Sequence, residues 1–155
     1  MRNILKEIDR KETVKVFDSK NSYAYSINIF VKDKNDFFGT VTEGSININE
    51  KGREFLRFFG IKFNNVPRFE IGPFLLYSSY FNFVIKASKD EKYDADSIKK
   101  LFVIKNVKDF IGESENNVEG LHWQEDIFIQ DITFPGEYNY IHDYYKTLWK
   151  KTKIM

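Results

Sequence analysis

FLLYSSYFNFVIKAS, residues 74–88, is the stretch on whose reading the fold turns. Leu75, Tyr77, Phe81, Phe83 and Ile85 share one face of an extended chain, and Phe74, Leu76, Tyr80 and Val84 share the other. A strand that is apolar on both faces has to be covered on both, which is the position of a central strand. Ser78-Ser79 offers a break that would make it two strands.

Upstream, SYAYSINIFV (22–31) alternates cleanly, with Tyr23, Tyr25, Ile27, Ile29 and Val31 on one side, and this period of two predicts a half-buried strand. DKND reads as a turn and FFGTVTEGSININ as a returning strand, with Gly44 a bulge or kink, so the two form an antiparallel hairpin. Asn49 is placed to cap a helix over EKGREFLRFFG, with Glu50 at its positive end, Gly52 weakening its first turn and Gly60 ending it. NNVPRFEIGP is punctuation with a short edge strand, because Pro67 and Pro73 cannot donate to a ladder. The N-terminus opens with a short helix at Ile4, Leu5 and Ile8 and continues extended through Val14, Val16 and Phe17.

Downstream, SKDEKYDADS is a polar loop ending in Asp94 or Asp96 as a helix cap. Residues 98–107 stand between helix and strand, since DSIKKLFVI is helical in pattern and FVIKNV is β-branched. GESENNVEG reads as an exposed acidic loop and EDIFIQDITF as a strand. PGEYNYIHDYYKTLWKK closes as an amphipathic helix, with Tyr138, Ile141, Tyr145, Leu148 and Trp149 on its apolar stripe. The order predicts one α+β domain over 1–155. Its sheet is mainly antiparallel, of about four to six strands, with the helices, the C-terminal one included, packed on one face.

Of the 155 residues, 17% are aromatic, so few side chains can build a solid core and some of the nine tyrosines line a surface or groove. There is no cysteine, which removes disulfides, thiolate catalysis and cysteine metal sites. No signal-peptide pattern or long apolar run is present, and a cytoplasmic protein is expected. Net charge is +1, which argues against nucleic acid as a partner, but its distribution is uneven. Residues 106–143 hold Lys108 alone against nine acids, net −8, and four lysines follow.

The two histidines fit no metal-ligand spacing. In LHWQED (121–126), His122 and Asp126 would lie about 13 Å apart along one strand face, too far to pair directly. No catalytic residue, metal or cofactor is assigned. The acidic segment instead points to a non-enzymatic protein-binding domain: an immunity- or antitoxin-like inhibitor that covers a basic toxin or nuclease. Glu113, Glu115, Glu119, Glu125, Asp126 and Asp143 would steer the partner, while Trp123, Tyr140 and Tyr144 would anchor it. That function needs Trp123 at the surface. Two alternatives come from other classes. One is a small-molecule or hydrolytic domain using His122 or His142 as acid/base. The other is a single-stranded nucleic-acid binder working through Arg53, Arg57, Lys62 and Arg68.

Overall fold

Residues 17–64, 66 and 69–154 are described by a computed structural model of the chain. The N-terminal helix expected at residues 4–8, the extended stretch at Val14 and Val16, and Arg68 lie outside them. Residues 74–88 do break at the serines, into β4 (Phe69–Leu76) and β5 (Tyr80–Ser88). With β1 (Ser22–Val31) and β6 (Trp123–Ile132) they form a four-stranded antiparallel sheet in the order β4-β5-β1-β6. β1 runs parallel to β4 with β5 between them, and β5 parallel to β6 with β1 between them. A helical crossover joins each pair, so the chain is two interleaved βαβ units, the split arrangement.

The first crossover carries α1 (Glu50–Phe63), which Asn49 caps by accepting from the Gly52 N–H. Gly52 does more than weaken that turn. A Cβ there would stand 2.7 Å from the Phe38 carbonyl oxygen and 2.5 Å from the Ile48 side chain, so the helix start can pack only without one. Gly60 does not end the helix, because Phe63 one turn later is buried beside Phe59 and Phe110. The second crossover is helical from Ala95 to Asn117. It runs α2 (Ala95–Ile98), a π-helical stretch (Lys99–Ile104) and α3 (Lys105–Asn117), with right-handed helical backbone at both junctions. Much of the expected acidic loop is therefore the end of α3. Val103, Val107, Phe110, Ser114 and Val118 are buried at spacings of three and four, and that stripe holds the segment helical despite its glycine and asparagines.

The expected hairpin between residues 22–31 and 37–49 does not form. β2 (Gly39–Thr42) and β3 (Ser45–Ile48) pair with each other across Glu43-Gly44, both at positive φ (50° and 77°), and make a separate sheet with β7 (Lys153–Ile154). Two consecutive left-handed residues are what a tight two-residue hairpin turn requires, so Gly44 marks a turn and not a bulge.

The α+β class and the antiparallel sheet are as expected, but the helices do not all share a face. Phe55 and Phe59 of α1 and Phe110 of α3 interlock with Phe81 and Phe83 on the odd-numbered side of the sheet, at centroid distances of 4.8–5.9 Å. α4 (Pro135–Lys150) packs on the other side. Its Tyr138 closes a second core with Phe17, Ala24, Val84 and Ile132. The even-numbered side of the sheet is apolar at that end and needs a cover of its own.

Candidate functional site

The even-numbered face falls into three zones, set by the strand register. Ala24, Val84 and Ile132 form the apolar end under Tyr138. Ser26, Asn28, Asn82 and Gln130 make a polar middle. Phe30, Tyr80 and Phe128 make an aromatic end, where Phe30 pairs across β1–β5 with Tyr80 and touches Phe128 on β6.

α4 covers this face unevenly. The Tyr145 hydroxyl donates to Asn82 Oδ1 at 2.5 Å, and the Trp149 indole donates to the Phe74 carbonyl at 2.7 Å, which pins the helix over β5 and β4. Burial raises the Tyr145 and Tyr80 hydroxyl pKa values, and the nearby phenols add to this, those of Tyr80 and Tyr144 at Tyr145 and those of Tyr77 and Tyr144 at Tyr80. Tyr144 is therefore a neighbour of Tyr80. In the polar middle Asn28 Oδ1 is buried with no hydrogen-bond partner among the described residues, as is His142 Nε2 on the helix.

What remains uncovered is a band of rings. Phe128 is 53% exposed and meets Phe30 edge-on at 5.8 Å. Phe30 meets Tyr80 at 5.6 Å, and Tyr80 stacks on Tyr77 at 4.9 Å. From α4, one turn apart, Tyr140 and Tyr144 stand parallel to within 2° at 6.3 Å, both largely exposed. Lys34 Nζ lies 5.6 Å from the Phe30 centroid. Rings left half wet on a sheet face offer flat π surfaces to solvent.

The residues expected to bind a partner are placed otherwise. Trp123 is buried, 7% exposed, against Phe38 and Phe55. Its indole N–H donates to Ser114 Oγ at 2.8 Å, and that hydroxyl donates to the Ile111 carbonyl. Ser114→Ala would leave the buried indole N–H without its acceptor. The expected cost is about 1–3 kcal/mol in urea unfolding, and a loss below about 0.5 kcal/mol would mean another group takes the bond. Glu115 accepts from the Trp123 backbone N–H and lies 3.6 Å from His122 Nδ1, while Glu113 pairs with Lys62 at 2.9 Å. Glu119, Glu125 and Asp126 are exposed. These acids border the α1/α3 layer and the β6 edge, whereas Tyr140, Asp143 and Tyr144 lie on α4 across the sheet.

His122 and His142 are on different layers too, paired with Glu115 and Asp143 respectively. No group of three or more potential metal ligands occurs among the described residues. Arg53 and Lys62 are on α1, away from the ring band, as is Arg57. No helix among the described residues is long and apolar enough to cross a membrane.

A cavity at the apolar end of the sheet, about 460 Å³, is lined by Tyr23, Tyr25, Lys89 and the Lys99–Asp131 ion pair. Burial, with the charge of Asp131 beside it, pushes the Tyr25 hydroxyl up from 10.0 to about 12. A raised folded-state pKa contributes stability that is whole below the unfolded value and is lost as pH climbs through the folded one. Unfolding free energy should therefore fall between pH 10 and about 12, and Tyr25→Phe should flatten that fall. An alkaline titration of wild type and variant with the same slope would count against this.

No protein-family model matches the chain, and no curated protein is similar to it. Among solved structures it is similar to a REP-associated tyrosine transposase bound to a REP hairpin, at 12% identity and a TM-score of 0.43. The likeness covers 84% of this chain and 66% of that one, so the chain spans somewhat under two thirds of that protein's length. The expected immunity-type inhibitor is corrected here. Trp123, which such an interface would need at its centre, is inside the core.

Proposed function

We propose that the uncovered end of the sheet binds single-stranded nucleic acid by stacking unpaired bases on its rings. The band Phe128–Phe30–Tyr80–Tyr77, running from β6 across β1 to the β4–β5 turn with Tyr144 beside it, is the observation that carries this reading. Every base has a π face, and exposed aromatic side chains on a four-stranded sheet are a recurrent means of holding splayed bases. A duplex keeps its bases stacked inside and presents none to such a surface. The net charge of +1 does not oppose this, because it describes the whole chain, whereas the rings occupy one end of one face. Cytoplasmic action belongs to the same proposal.

Arg53, Arg57 and Lys62 are not its contacts, since α1 lies on the other layer. Fluorescence anisotropy with short labelled oligoadenylates, one of DNA and one of RNA, tests it directly. Saturable binding at low salt, with duplex of the same sequence failing to compete, is the expected result. No binding of either strand would dismiss it.

A further inference from the structure

We infer that the ring band recognises the nucleobase almost independently of the phosphate backbone, so that its ligand class is the unpaired base and not the polyanion; this rests on the stacking reading above. The charges around the rings carry the inference. Lys34 is the one ammonium found over a ring of the band among the described residues, 5.6 Å from the Phe30 centroid.

Carboxylates lie close in sequence to the same rings, as do Lys32 and Lys146. Asp36 accepts from Ser78 Oγ at 2.7 Å, next in sequence to Tyr77. Asp143, its side chain 81% exposed, precedes Tyr144 on α4. Asp126, two residues before Phe128 on β6, is exposed. With Lys34 the one ammonium over these rings among the described residues, a phosphate brought to this surface has few cations to contact, so few counterions are released in its favour. The rings, by contrast, are set for planar uncharged ligands. Phe128 offers a half-exposed face on the sheet, and Tyr140 and Tyr144 offer two parallel ones on the helix.

The test compares a short DNA oligoadenylate with a strand of the same sequence on a neutral peptide backbone, each titrated at about 50 and about 200 mM salt. The neutral strand is expected to bind within a few fold of the charged one, and Phe128→Ala to weaken both alike. The charged strand should lose only about threefold between the two salts, the effect of one phosphate contact at a slope near 0.7. Binding of the charged strand alone, or a salt loss of roughly thirtyfold or more, would overturn this inference while leaving the stacking site standing if Phe128→Ala still weakens it. Failure of both strands to bind would overturn the inference and the proposed function together.

Discussion

Phe59→Ala is expected to cost about 3–5 kcal/mol of unfolding free energy, the largest loss of any single substitution considered for this chain. Phe59 is fully buried on α1, and its ring touches those of Phe63, Phe74, Phe81, Phe83 and Phe110. These partners come from α1 itself, both strands of the β4–β5 hairpin and α3. Truncation removes one ring from the point where two helices meet the sheet. The neighbours are rings too, held from several sides, so the cavity cannot collapse without shifting backbone. A single domain has a total stability of about 5–15 kcal/mol, so the variant should sit near its unfolding threshold. Urea unfolding followed by tryptophan fluorescence reads this directly, because Trp123 packs against Phe55 in the same cluster. A shift in stability under about 1 kcal/mol would show that Phe59 is not the keystone its contacts describe.

The same ring cluster explains what could be read in the chain and what could not. Residues 22–31 declare one face by strict alternation, and that face is the buried one: Tyr25, Ile27, Ile29 and Val31 all lie in the core. Asn49 as a cap and α4 as an amphipathic helix are legible because capping and helical period are local. Pairing partners are not local. β1 takes β5 and β6, fifty or more residues away in sequence, over the hairpin that follows it, and no spacing within residues 22–49 records that choice.

The acidic end of α3 misleads for a related reason. Its glycine and asparagines are local signals for a loop, while the stripe Val107–Phe110–Ser114–Val118 becomes visible only when it is followed past the acids. The ring band left a fainter trace. Along β1 the even-numbered residues are Ser22, the buried Ala24, Ser26, Asn28 and then Phe30, and along β6 Phe128 stands between Asp126 and Gln130 on the same face. A lone phenylalanine at the end of a mostly polar strand face is cheap to overlook in one strand. It gains meaning when register sets Phe30 between Tyr80 and the Phe128 ring. Trp123 is the opposite case. Its acidic neighbours in sequence suggest the surface, but its indole N–H finds a buried acceptor in Ser114, and the ring goes inside.

If bases stack on this band, the double substitution Phe128→Ala with Tyr144→Ala should weaken binding of a short single strand far beyond any change in fold stability. Base–aromatic stacking is worth about 1–3 kcal/mol per base, or roughly 5- to 150-fold in Kd for each ring that holds one. Both side chains are more than half exposed, at 53% and 52%, so their removal leaves no cavity and the unfolding midpoint should stay near that of wild type. That separates a contact from a structural role. Tyr144→Phe keeps the flat ring and should keep most of the affinity, whereas Tyr144→Leu is apolar without being planar and should lose it. Arg53→Ala with Arg57→Ala sets the contrast on the opposite layer, and under a stacking mechanism it leaves affinity within about twofold, as residues that touch no ligand do. Anisotropy titrations on these four proteins decide the matter. Loss of binding in the arginine pair with the ring variants unaffected would move the site to α1, and a Tyr144→Leu protein binding as tightly as Tyr144→Phe would show that α4 holds no base.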